Sequence, residues 1–173
     1  MPEPNRQHCK IALAGAPMVG KTTLLYRLER RAPTSQLTVD ADETKRIVHV
    51  TMAFPQQHLS IMAASGAFVN DTVIPTVLTA ATMVVYVIST GVHLNTQRLF
   101  FDRYVTCAAQ VGVHWNDVPW LFVLNIVEPL VENPLLDQIP PSFHDTIMRC
   151  VAITEQGVDD IWQRMLATVE SRL

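Results

Sequence analysis

Gly15-Ala16-Pro17-Met18-Val19-Gly20-Lys21-Thr22 is the stretch that decides how this chain reads. A short apolar run, Cys9 to Ala14, precedes it, and a helical pattern from Lys21 to about Arg31 follows. Glycine, four residues, glycine, lysine and a hydroxyl residue, set between a strand and a helix, is the arrangement that cradles phosphate. Gly15 and Gly20 permit backbone conformations and close approach that a Cβ forbids. Backbone N–H groups within residues 17–22, together with the positive end of the following helix, are then aimed at phosphate oxygens. Lys21 offers a mobile cation to the terminal phosphates, and the Thr22 hydroxyl is positioned to ligate Mg2+. The candidate ligand-binding set of this loop is Gly15, Pro17, Met18, Val19, Gly20, Lys21, Thr22 and Thr23.

Working outward, Pro33 to Thr44 is polar and reads as a surface loop. Arg46 to Phe54 carries Ile47, Val48, Val50 and Met52 and reads as a strand; Pro55-Gln56-Gln57 is a turn and His58 to Ala64 the returning strand. This pair is expected as a hairpin at the sheet edge. Val73 to Ile88 reads as a helix end, a turn and a buried strand; the run Met83 to Ile88 has the continuous apolar character of a parallel strand covered on both faces. A helix is expected over Leu94–Val111, with Leu94, Phe101, Val105 and Ala108 on one face. Trp120–Leu124 is a further strand, and Pro129–Pro141 is irregular with room for one short helix. Met148–Ile153 is the last strand and Glu155–Leu173 the last helix, with Val158, Ile161, Trp162, Met165, Leu166 and Val169 at helical spacing. Strands alternating with helices imply an α/β fold in three layers, with a mostly parallel sheet and one antiparallel edge strand. Residues 1–8 are expected as a tail and 9–173 as one domain.

The composition fits. A chain of 173 residues can bury one sizeable core, and 49% hydrophobic against 17% charged residues excludes a disordered chain. A formal net charge of −3 gives no electrostatic case for nucleic acid or an anionic membrane surface. Cys9, Cys107 and Cys150 are scattered and odd in number, which fits buried free thiols in a reducing compartment. With no apolar N-terminal segment and no span-length apolar run, a cytoplasmic protein is expected.

In order and spacing of elements the chain resembles small Ras-like GTPases, and within them the bacterial gliding-motility group, the MglA-type GTPases. Gly20-Lys21-Thr22-Thr23-Leu24-Leu25-Tyr26 is similar to that group's G-K-T-T-N-L opening of its first helix. His58 through Gly66 sits where the group has a strand ending in T-V-P-G-Q. Trp115-Asn116-Asp117-Val118-Pro119-Trp120 followed by Asn125 resembles its approach to N-K-x-D, and Thr154-Glu155-Gln156-Gly157-Val158 its final T-G-E-G-V loop. The resemblance implies a Ras-like G domain that binds GTP or GDP with Mg2+, with Asn125, Glu128 and Ala152 at the base. It implies Thr22 as a metal ligand and a threonine of residues 33–44 as the second; Thr44 is placed there, with Thr34 and Thr38 as alternatives. Residues 33–54 and 63–74 would switch with the terminal phosphate. A Roadblock-type regulator and effector proteins are the implied partners.

The departures carry as much information. Ala63-Ala64-Ser65-Gly66 lacks the acid of D-x-x-G, which the MglA group also lacks. Ala67 stands where a glutamine orients the attacking water, so slow hydrolysis is expected and no catalytic residue is assigned. Asn125-Ile126-Val127-Glu128 replaces N-K-x-D: Glu128 keeps a carboxylate on a longer stem, and Ile126 offers only apolar contact. Two readings compete with a working switch. One is a pseudo-GTPase that retains the fold as a binding or scaffolding module. The other is a small-molecule kinase, which needs a lid that arginine-free Pro129–Pro141 does not supply. The six histidines show no metal-ligand spacing, Ser65 lacks a nucleophile-elbow context, and Trp115 and Trp120 read as packing residues. Arg27, Arg30 and Arg31 read as cations suited to a helix C-terminus.

Overall fold

The computed structural model describes residues 7–41, 46–54, 57–66, 69–129 and 135–172. Its strands are β1 Gln7–Ala14, β2 Ser35–Ala41, β3 Arg46–Ala53, β4 Gln57–Ala64, β5 Met83–Ser89, β6 Trp120–Asn125 and β7 Met148–Cys150. The helices are α1 Lys21–Glu29, α2 Val73–Leu78, α3 Leu94–Gln110 and α4 Val158–Glu170. One seven-stranded sheet runs in the order β2-β3-β4-β1-β5-β6-β7. β4, β1, β5, β6 and β7 are parallel neighbours, and β3 runs antiparallel to both β2 and β4.

Alternation along the central strands builds two cores and three layers. Ile11, Leu13, Met83, Val85, Val87, Leu121 and Val123 face α1 and α4, meeting Leu24, Leu25, Leu28, Ile161, Trp162 and Met165. The intervening residues Ala12, Ala14, Val84, Tyr86, Ile88, Phe122 and Leu124 face α2 and α3, meeting Ile74, Val77, Phe101, Tyr104 and Ala108. Strands covered on both faces need apolar residues at every position, which is why β5 and β6 read as continuous apolar runs. Trp115 and Trp120 pack in this second core, edge-on to each other at 5.5 Å. Cys9, Cys107 and Cys150 are free and buried, and burial pushes the Cys150 thiol up to about 11.

Several expectations need correction. The polar stretch 33–44 is not all loop, because Ser35–Ala41 forms β2. An edge strand buries little of itself, so its composition stays polar. The β3–β4 hairpin therefore lies one strand inside the edge rather than at it. The buried face of α3 is Gln97, Phe101, Tyr104, Cys107 and Ala108, whereas Leu94 and Val105 pack only partly against the core. The last strand ends at Cys150, and α4 begins at Val158 rather than Glu155. Glu155 (φ 66°) and Gly157 (φ 78°) are left-handed there, which no helix accommodates. A Cβ at position 157 would run into the Arg149 carbonyl oxygen, so glycine is required. Pro141–Thr146 is a short 3₁₀ helix; residues 130–134 of the proline-rich stretch lie outside the described residues.

Candidate nucleotide-binding site

Residues 15–20 connect β1 to α1 at the C-terminal end of the parallel strands. The turn is possible because Gly15 (φ 140°) and Gly20 (φ 96°) occupy conformations that side chains disfavour. Each is also pinned by a neighbour: a Cβ on Gly15 would meet the Val87 carbonyl oxygen, and one on Gly20 the Asn125 side-chain amide. Met18 (φ 64°) is left-handed as well, and its side chain is exposed. Gly20 is the N-cap of α1 and no side chain caps it, so the first-turn N–H groups are left for a ligand. Pro17 carries no N–H, so the available donors start at Met18. The long left-handed turn also places Ala16 and Val19 in the core, which fixes the loop from beneath.

Lys21 is 3% exposed. Its Nζ donates to the carbonyl oxygens of Gly15 at 2.9 Å and Ala16 at 2.6 Å, folded back across its own loop. Burial pulls its pKa down to about 7. A cleft of about 320 Å3 opens beside it, lined by Met18, Gly20, Lys21, Thr22, Thr23, Ser65 and Gly66. A second cleft of similar size between α2 and α3 is lined by Asp71 and Asp102. Arg103 lines it too and faces Asp71 at 3.9 Å, which leaves a net negative cleft, whereas the first cleft joins a buried lysine to an uncapped helix start.

The pKa has a consequence for binding. Polyphosphate favours the charged ammonium, so a lysine near 7 in the free protein must gain a proton when ligand arrives above neutrality. Affinity is expected to fall as pH rises above about 7, by up to tenfold per unit, and to show no lysine-linked change below it. Calorimetric titration at alkaline pH in buffers of different ionisation enthalpy should read uptake approaching one proton. Uptake of none would contradict this environment for Lys21.

Asn125 and Ala152 meet behind the loop, not in the cleft. The buried Asn125 amide donates from Nδ2 to the Val19 carbonyl at 3.0 Å, and its Oδ1 accepts from the Ala152 N–H at 3.1 Å. One side chain thus ties the phosphate loop to the loop after β7. Glu128 is exposed in the loop after β6, where the Thr90 hydroxyl accepts the N–H groups of Val127 (2.8 Å) and Glu128 (2.9 Å). Thr44 and Ala67 lie outside the described residues.

Sequence reasoning missed one cluster. Arg27, Arg30 and Arg31 do more than complement a helix terminus: all three converge on Glu155, at 2.7, 3.1 and 3.1 Å, and Arg31 also meets Asp159 at 2.6 Å. Arg27 further donates to the carbonyls of Ala152 and Ile153. These bonds span more than a hundred residues and clamp the loop after β7 onto α1, the helix that starts at the phosphate loop. The i, i+3, i+4 spacing of the arginines was the available signal, since it places them on one helix face. Among the described residues no three His, Cys, Asp or Glu side chains group as a metal site. No described helix is long and apolar enough to cross a membrane.

No family model matches the sequence, and no curated protein matches it. Solved structures do. The G domain of the T. maritima FeoB iron transporter aligns over 94% of this chain and 99% of that one, with a TM-score of 0.58 and 12% identity. A bacterial selenocysteine-specific elongation factor, EF-Sec, aligns over 95% of this chain with a TM-score of 0.67 and 19% identity. The match spans only 29% of the EF-Sec chain. Sheet order, loop geometry and these neighbours agree that the chain has the three-layer α/β fold of a P-loop G domain.

Proposed function

We propose that this chain is a small GTP-binding switch of the Ras-like, MglA-like kind, one G domain that takes in residues 9–173 and also Gln7 and His8, expected as tail, which pair with β4 as the start of β1. The observation that carries the reading is Lys21, buried against the Gly15 and Ala16 carbonyls beside an uncapped helix start and an open cleft. Such a lysine has acceptors to exchange for phosphate oxygens, and the cleft has room for them. The residues fit a nucleotide's phosphates: Met18, Gly20, Lys21, Thr22 and Thr23 line the cleft that would take them, and Gly15 and Gly20 let the loop pack against Val87 and Asn125. Mg2+ would be held by Thr22, with Thr44 as the second protein ligand, and would neutralise charge on the phosphates. Asn125, Ala152 and Glu128 would frame the base, the first two by holding their loops and Glu128 by its carboxylate. A Roadblock-type regulator and effectors would read the state of residues 33–54 and 63–74.

Hydrolysis is expected to be slow. Phosphoryl transfer rests on positioning and charge stabilisation, and Ala67 can neither orient nor hold a water. Single-turnover phosphate release from bound GTP should run at or below the order of 10⁻⁴ s⁻¹, and Ala67→Gln alone should not restore ordinary rates. Unaided turnover in seconds would contradict this account of the site. The pseudo-GTPase alternative is favoured by the hydrogen bonds that hold Asn125 Nδ2 to Val19 and Oδ1 to Ala152 within the protein, and by the exposure of Glu128. GTP that binds but is never cleaved, with or without a candidate regulator, would select that alternative.

A further inference from the structure

β2 ends the sheet, and among the described residues no strand pairs with its outer side. The hydrogen-bond register shows what that side presents. The Ala53 N–H donates to the Thr34 carbonyl, so Thr34 and Ala53 bond each other. Ser35 pairs with Met52 and Gln36 with Thr51, so by alternation Gln36, Thr38 and Asp40 direct their N–H and C=O groups to β3. Ser35, Leu37, Val39 and Ala41 direct theirs outward. The independent bond from the Ser65 N–H to the Arg46 carbonyl fixes β3 in the same phase.

The side chains tell a matching story. Leu37 and Val39 stand opposite Val50 and Val48, on the α1 face of the sheet. Val48 and Val50 are buried, whereas Leu37 is 38% and Val39 45% exposed. The apolar row of the core thus continues to the edge, where the described residues leave it half-exposed. The usual guards of an edge are absent: β2 has no lysine or proline, and its register with β3 is unbroken by a bulge.

We propose that β2 pairs antiparallel with β2 of a second copy of this chain, across a twofold axis at Thr38. The sequence is self-complementary in that register. Leu37 faces the second copy's Val39, which extends the apolar row across the junction. Thr38 faces Thr38, and Gln36 faces Asp40, so no like charges oppose. The hydrogen-bonded pairs of that register are formed by the outward-directed residues, Ser35 with Ala41 and Leu37 with Val39. A single strand junction covers little area, so the dimer is weak and concentration-dependent. This inference does not depend on nucleotide binding.

The register makes a sharp test. Thr38 would lie about 4.5 Å, Cα to Cα, from its own symmetry mate, within disulfide reach of about 4.4–6.8 Å. Gln36 would lie about 13 Å from its mate. Under mild oxidation Thr38→Cys should cross-link to a dimer while Gln36→Cys should not; the native cysteines are buried. In sedimentation equilibrium the parent mass should rise from 19.4 kDa toward twice that with concentration. Leu37→Lys should hold it at the monomer. Val39→Pro should do the same, because it removes an outward N–H and no bond to β3. A parent that stays monomeric at high micromolar concentration would overturn the proposal and leave the edge to a different protein. Equal cross-linking of the two cysteine variants would overturn the register.

Discussion

Lys21→Ala is expected to weaken nucleotide binding on the order of 10²–10³-fold, and to lower the stability of the ligand-free fold by about 1–3 kcal/mol because the buried Gly15 and Ala16 carbonyls lose their donor. The two effects separate because the lysine's partners differ between states. Without ligand it donates to the Gly15 and Ala16 carbonyls, and burial already lowers its tendency to carry charge. With ligand it faces the terminal phosphates, where a fully formed ammonium in a secluded site has its largest effect. Removing it leaves the phosphate charge facing backbone donors alone. Titration of parent and variant with fluorescent GTP and ATP analogues, alongside thermal unfolding, measures both. Equal affinity in the two proteins would contradict the assignment of residues 15–22 as the phosphate loop.

Asn125→Ala is expected to destabilise the protein by about 2–4 kcal/mol, because two backbone groups lose their partner together. The Val19 carbonyl and the Ala152 N–H both lie in buried residues, and alanine offers neither a donor nor an acceptor. The variant also opens space beside Gly20, whose missing Cβ accommodates the amide. The phosphate loop and the loop after β7 should loosen together, so nucleotide affinity falls along with stability. Urea unfolding monitored by tryptophan fluorescence gives the first quantity, and hydrogen exchange at residues 16–20 and 151–157 the second. A variant as stable as the parent, with both loops equally protected, would mean the tie is incidental.

What was legible in the sequence follows from the range of the interactions. The phosphate loop is read directly because its chemistry requires consecutive residues. β5 and β6 are read because burial on both faces leaves continuous apolar runs. β2 reads as loop because only Leu37 and Val39 alternate, both half-exposed, among polar residues that an edge position tolerates. The resemblance puts Asn125 at the base, but its bonds reach Val19, 106 positions away, and Ala152, 27 away, which no local pattern reveals. Arg27, Arg30 and Arg31 were visible as a cluster, yet their common partner, Glu155, lies on a loop whose left-handed backbone is set by Gly157 and the nearby Arg149 carbonyl. Their meeting is a product of the tertiary fold.

Competition between GTP and ATP for nucleotide-stripped protein in the presence of Mg2+ tests the central claim most directly. A site that rejects the wrong base does so by leaving a buried polar group unpaired. Exposed Glu128 imposes that penalty less strictly than a buried carboxylate, and Ile126 contributes only apolar contact. The account predicts one site per chain, with GTP preferred over ATP by a margin narrower than a buried carboxylate would give, and with both weakened alike by Lys21→Ala. A preference for ATP, or no binding of either nucleotide by folded protein, would contradict it.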